Sequence, residues 1–132
     1  MGAMHLEEVE IYTVIGREGF ERIAAAFYQQ VPDDDLLGPM YAGRNLKEAE
    51  QRLRDFLIFR FGGPAQYLEQ RGHPRLRMRH APFPIGTAAR DRWIKLMNGA
   101  LQEAMLPVEI AQSLRAFFES TATFLINRPP QV

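Results

Sequence analysis

Residues 71–83 of the chain read RGHPRLRMRHAPF, and this stretch differs in character from the sequence around it. It alternates arginine with other residues, is broken by one glycine and two prolines, and contains His73 and His80, two of the three histidines of the chain. Because glycine and proline interrupt helices, only one to two helical turns fit between Tyr67 and Ile85. The segment is therefore short, basic and proline-bounded, and such irregularity needs a functional explanation.

The sequence on both sides of this segment predicts long helices. Apolar residues recur at intervals of three and four, which is the spacing of one helix face. No run alternates polar and apolar residues as a strand does, so the pattern predicts an all-α protein. We expect helices over 18–31, 47–61 and 87–103, a short helix running toward Tyr41, and a last helix from Pro107 to about Leu125.

Length and composition indicate one ordinary globular domain. The 132 residues have zero formal net charge, which gives no global attraction to nucleic acid or to an anionic membrane. The chain has no cysteine, which excludes disulfides, thiolate metal sites and covalent haem attachment. No apolar run approaches the length of a membrane span, and the start lacks signal-peptide character. We expect a cytoplasmic protein with residues 1–10 disordered or cloning-derived and one domain over 11–132.

The basic segment has three interpretations from residue types alone. It could contact nucleic acid, although arginines at every second helical position form no single basic face. It could be a solvated loop without a function. It could also hold a cofactor, because a histidine can donate a ring nitrogen to porphyrin iron and arginines can pair with the two propionates. The apolar side chains available to wall such a pocket are Phe27, Leu53, Phe56, Leu57, Leu76, Phe83 and Met97.

Nearly the whole chain resembles one known family, the group II truncated haemoglobins. Its most specific segment is Gln70–Phe83, and the other landmarks occur in the expected order and at the expected distances: Phe27-Tyr28, Tyr41, Ala49–Leu53, Phe61–Pro64 and Arg90–Trp93. The resemblance implies a two-over-two helical sandwich, a truncated globin-like fold. It also implies haem b, iron protoporphyrin IX held non-covalently.

The resemblance also implies a role for individual residues. It makes His80, and not His73, the proximal iron ligand. It places His73 at the start of the proximal turn, where that residue orients the loop or contacts a propionate. On the distal side it implies Tyr28, Tyr41 and Trp93 as polar groups around the ligand, with Ala49 and Leu53 beside them. Arg52, Arg79 and Tyr67 match positions that reach the propionates. The remaining contacts with the cofactor would come from Phe56, Leu57, Leu76, Phe83 and Met97.

Two stretches depart from the family pattern. The family often has proline and acidic residues after the distal tyrosine, whereas here Tyr41 precedes Ala42-Gly43-Arg44. The usual Gly-Gly between the first two helices is reduced to Gly16, followed by Arg17-Glu18-Gly19. We expect a more mobile, basic loop after Tyr41 and a first helix that points in a different direction.

Two functions follow from the resemblance. In the first, the protein reversibly binds oxygen, carbon monoxide or nitric oxide. In the second, it is a redox enzyme that converts nitric oxide to nitrate or reduces peroxide, and it then needs an external reductase. No nucleic-acid or membrane partner is expected, and the chain is expected to be a monomer or a homodimer.

Overall fold

The computed structural model describes residues 11–64 and 75–128, and all of its regular elements are helices. The expectations for residues 1–10, Tyr67 and His73 lie outside these ranges. The helices are α1 (Ile11–Gln30), α2 (Leu37–Met40), α3 (Leu46–Arg60), α4 (Leu76–His80), α5 (Thr87–Glu103) and α6 (Val108–Phe124).

The helix bounds agree closely with the sequence pattern, with one informative difference. Helix α1 begins at Ile11, several residues before the predicted start. Its backbone is non-helical at Gly16, where φ is +63° and ψ is −174°. Glycine adopts this conformation at little cost because it has no Cβ. The predicted helix therefore corresponds to the part of α1 after the break at Gly16.

Local capping explains where α3 begins. The Asn45 side chain accepts a hydrogen bond from the backbone N–H of Glu48 at 3.1 Å, the usual way in which an asparagine caps a helix N-terminus. At the other end, Gly63 lies so close to Ile58 that an added Cβ would come within 2.4 Å of its Cγ2 atom. Only glycine fits this turn.

Two pairs of long helices form the body of the protein. Helix α1 packs against α3 and α5, and α5 packs in turn against α6. Gln30 reinforces the contact of α1 with α5, since its side-chain amide donates to the backbone oxygen of Leu96 at 2.9 Å. Fully buried residues between the helices include Phe20, Phe27, Phe61 and Met97. The short helices α2 and α4 lie outside this body and border the site described next.

Within residues 11–64 and 75–128, no helix combines the length and the apolar character of a membrane span.

Candidate functional site

A cavity of about 630 Å³ lies where α2, α3, α4 and α5 approach one another. Many of its lining residues are the predicted site residues: Tyr28, Tyr41, Ala49, Arg52, Leu53, Phe56, Leu76, Arg79, His80, Phe83 and Trp93. The volume is within the range of small-molecule and cofactor sites. The structure thus brings together side chains that are separated by more than sixty positions in the sequence.

His80 is the residue of α4 with the clearest chemical role. Its Nδ1 atom lies 2.7 Å from the backbone oxygen of Leu76, one helical turn earlier. A carbonyl oxygen only accepts hydrogen bonds, so Nδ1 must carry the proton and donate it. In the neutral ring Nε2 then has a free lone pair, which is the form that binds a metal ion. The bond to Leu76 also fixes the orientation of the ring, which is partly buried.

An aromatic cluster forms another part of the cavity wall. The Tyr28 ring packs edge-on against Phe27 at 5.0 Å and against Tyr41 at 5.7 Å between ring centroids. The Trp93 ring lies between Phe27, at 5.1 Å, and Phe118, at 5.4 Å. Such edge-on and tilted contacts are the favourable arrangements of aromatic rings. They hold two hydroxyl groups and one indole at the cavity.

The two tyrosines remain protonated at neutral pH. Burial, followed by the charge and hydrogen-bond interaction with Tyr41, raises the pKa of Tyr28 well above its usual value. Burial also raises the pKa of Tyr41, although the hydrogen bond with Tyr28 and the positive charge of Arg44 oppose that shift. Both residues therefore keep an O–H group that can donate a hydrogen bond in the cavity.

Two ion pairs hold the part of α5 that carries Trp93. Arg92, next to Trp93 on α5, donates to the carboxylates of Asp34, at 2.8 Å, and Asp35. Asp34 also accepts from the backbone N–H groups of Leu36 and Leu37, at 3.0 and 2.7 Å. These bonds outweigh the effect of burial and lower the pKa of Asp34. They join α5 to the turn that carries the chain from α1 into α2.

The bacterial-like globin family matches residues 10–127 of this chain. The chain belongs to this family. Among its relatives, Group 2 truncated hemoglobin YjbI of Bacillus subtilis is 36% identical over 117 residues, covering 89% of this chain and 88% of that one. The chain is therefore a truncated haemoglobin of group II, as its sequence suggested.

Solved structures of truncated haemoglobins confirm the fold. The thermostable hemoglobin of Thermobifida fusca has a TM-score of 0.86 and 44% identity, covering 90% of this chain and 98% of its own. The truncated oxygen-avid haemoglobin of Bacillus subtilis has a TM-score of 0.83 and 36% identity, covering 89% of this chain and 98% of its own. The predicted two-over-two globin architecture is confirmed.

The cavity has the donor set that a haem needs. Membership of the globin family implies a haem cofactor and ligands of the oxygen type. The Nε2 atom of His80 is available to bind iron because Nδ1 is hydrogen-bonded to the backbone oxygen of Leu76. Leu53, Phe56 and Leu76 supply apolar wall, while Arg52 and Arg79 add guanidinium groups suited to carboxylates. The residues present therefore fit the group that the family carries.

Two predicted cofactor contacts lie elsewhere in the structure. Leu57 and Met97 are fully buried in the core and do not line the cavity. Phe27, considered as a wall residue, is also fully buried and reaches the cavity only through the Tyr28 and Trp93 rings that pack on it. An apolar helix face points either to the core or to a pocket, and periodicity alone does not separate the two.

Several lining residues were not predicted from the sequence. Arg44 lies in the loop after Tyr41 and places its guanidinium carbon 4.3 Å from the centre of the Phe83 ring. Arg90 lines the cavity while donating to Thr123 Oγ1 at 3.1 Å and to the backbone oxygen of Glu119 at 3.3 Å. The basic loop and the Arg90–Trp93 landmark were the available signals for these residues. Neither signal specifies a contact.

Proposed function

We propose that this truncated haemoglobin reversibly binds oxygen, and also carbon monoxide and nitric oxide, at the iron of a haem b ligated by His80. The observation that carries the proposal is the bond from His80 Nδ1 to Leu76, which leaves Nε2 as the free nitrogen of a ring at the cavity. When bound, the haem supplies an iron with one coordination position open to a diatomic ligand. Because the sequence has no cysteine, the porphyrin is held without thioether bonds.

The distal residues give this site its preference for polar ligands. Tyr28, Tyr41 and Trp93 offer O–H and N–H donors, and Ala49 leaves room beside them. A ligand that accepts negative charge from iron is stabilised by such donors, the more so in an apolar surrounding. Oxygen, which takes the most negative charge, therefore gains more than carbon monoxide. The oxygen-avid haemoglobin of Bacillus subtilis, which is similar along most of the chain, supports strong oxygen binding.

Absorption spectra of the purified protein test the proposal. We expect a ferric haem spectrum and, after reduction under carbon monoxide, the spectrum of a carbon monoxide complex of a histidine-ligated haem. His80→Ala should lose haem unless imidazole is added, since only that side chain is proposed to hold the iron. If His80→Ala kept a normal spectrum while His73→Ala lost haem, the ligand assignment would be wrong.

The number of hydrogen-bond donors that line the cavity supports a second function, nitric oxide dioxygenation. Tight retention of oxygen slows delivery and leaves time for reaction with nitric oxide. The reaction joins nitric oxide and oxygen into nitrate and uses one electron per turnover, which an external reductase must supply. Repeated consumption of nitric oxide by the oxygenated protein with a reductase present would establish this activity. A single stoichiometric turnover under the same conditions would reject it.

A further inference from the structure

The segment after α6 is bonded to the segment that carries His80. The Asn127 side-chain amide donates to the backbone oxygen of His80 at 3.2 Å and to that of Phe83 at 2.9 Å. Its Oδ1 atom accepts from the backbone N–H of Ile85 at 2.9 Å. One side chain therefore bonds three backbone groups, spread over six residues, and all of them lie 42 to 47 positions earlier in the sequence.

Backbone bonds hold Asn127 itself in place. Its N–H donates to the backbone oxygen of Ile85 at 2.9 Å, and the N–H of Arg128 donates to the same oxygen at 3.1 Å. Ile85 therefore exchanges bonds with Asn127 in both directions, through its own N–H and its own carbonyl. This reciprocal arrangement fixes the position of the amide relative to residues 80–85.

Helix α4 is too short to hold its orientation by its own backbone hydrogen bonds. It has five residues, less than two turns, and the residue before it, Arg75, adopts a left-handed conformation with φ of +46° and makes no side-chain cap. So short a helix is not stable by itself. A contact with α6 itself comes from Arg77, whose side chain donates to the backbone oxygen of Phe124 at 3.2 Å. Its guanidinium carbon lies 4.6 Å from the centre of the Phe124 ring.

We propose that Asn127 is a positioning residue for the proximal histidine: its amide fixes the carboxyl end of α4 and thereby the direction of the His80 ring. The carbonyl of His80 also accepts from the N–H of Phe83 at 2.9 Å, so the turn and the amide act on the same group. Because this carbonyl is held, the backbone of His80 cannot rotate and carry the imidazole ring with it. The inference rests on the proposed role of His80 as iron ligand.

Amide hydrogen exchange provides a first test that does not depend on the iron. In the haem-loaded protein, Asn127→Ala should expose the N–H of Ile85 and raise its exchange rate about tenfold, since a surface hydrogen bond of this kind contributes modestly. Asn127→Asp should leave that N–H protected, because it keeps the accepting oxygen. Arg128→Ala is the matched control, since its bond to Ile85 comes from the backbone. Unchanged exchange in Asn127→Ala would overturn the proposal.

The position of His80 is tested by haem dissociation and by the iron–histidine vibration of the ferrous protein. Asn127→Ala should raise the haem dissociation rate about tenfold, which corresponds to about 1.4 kcal/mol, and should broaden the vibrational band. Asn127→Asp, measured in high salt to screen the added charge from nearby arginines, should do the same because its oxygens cannot donate to the two carbonyls. Arg128→Ala should match the unmodified protein.

The outcomes separate this inference from the proposed function. If His80→Ala loses haem but both Asn127 variants keep a sharp vibrational band and normal haem retention, Asn127 does not position the ligand. If His80→Ala keeps its haem and its spectrum, the iron assignment itself is wrong, whatever the Asn127 variants show.

Discussion

Trp93→Phe separates the two ways in which the distal side can act on a ligand. The indole lies between the rings of Phe27 and Phe118, at 5.1 and 5.4 Å between centroids. Phenylalanine keeps an aromatic ring between them and removes the N–H group. A hydrogen bond to a strongly polarised acceptor contributes roughly 1.5–3 kcal/mol. At about 1.4 kcal/mol per decade, its loss should raise the oxygen dissociation rate roughly ten- to a hundredfold.

Carbon monoxide provides the internal comparison. It is less polarised by the iron, so its dissociation rate should change much less in Trp93→Phe. Association of both ligands should quicken, because the smaller ring opens the cavity. Stopped-flow mixing and flash photolysis measure the four rates. Leu53→Ala is the matched control, since it enlarges the same cavity without removing a donor and should leave the ratio of the two dissociation rates unchanged.

Two results would refute this reasoning. If Trp93→Phe raised both dissociation rates equally, the indole would be a steric gate and not a donor. If neither Trp93→Phe nor Tyr28→Phe changed oxygen dissociation, the distal residues would not bond the ligand at all.

Three further predictions concern charged groups. Arg52→Ala and Arg79→Ala should each speed haem transfer to an apoglobin by a few-fold, which corresponds to about 1 kcal/mol for a partly exposed ion pair, with little change in the visible spectrum. If transfer were unchanged in both variants, these arginines would not bind the propionates. Asp34→Asn should lower the unfolding temperature at pH 7, because hydrogen bonds lower the pKa of this carboxyl in the folded state. That stabilisation is complete above the pKa of the unfolded state, about 4, and is lost as the pH falls through the pKa of the folded state. The difference in unfolding temperature between the two proteins should therefore shrink in acid, and a difference that stayed constant would contradict the prediction. Arg44→Met should raise the pKa of Tyr41 further, since the positive charge of Arg44 favours the phenolate. Alkaline absorbance titrations with and without Tyr41→Phe isolate the titration of Tyr41, and an unchanged titration in Arg44→Met would exclude the interaction.

The long helices could be predicted from the sequence because each of them carries an apolar stripe at helical spacing. Helix α5 has the predicted bounds, and α3 and α6 differ from theirs by about a residue. The turn that follows α3 could be predicted too, since Gly62-Gly63-Pro64 permits no continuation. The residues that face one another across the cavity were identified by resemblance. Spacing within single helices does not contain that information.

The contacts that could not be predicted join residues distant in the sequence. Asn127 follows the end of α6, and the sequence around it gives no sign of a role, because its side chain bonds the distant backbone of residues 80–85. Arg44 reaches Phe83 because of the loop conformation, in which Gly43 has φ of +76°. Such contacts depend on the assembled fold.

The bonds of Asn127 also have a consequence for the order of events during synthesis, if they position His80 as proposed. The cavity wall extends from Tyr28 to Leu125, and the segment bearing His80 is secured by a residue made 47 positions after it. A nascent chain emerges from the ribosome at about 5–20 residues per second, so His80 is exposed for seconds before Asn127 arrives. On the proposed role of Asn127, the direction of the His80 ring is not fixed during that interval. We therefore expect stable loading of the cofactor to follow the synthesis of residue 127 and not to precede it.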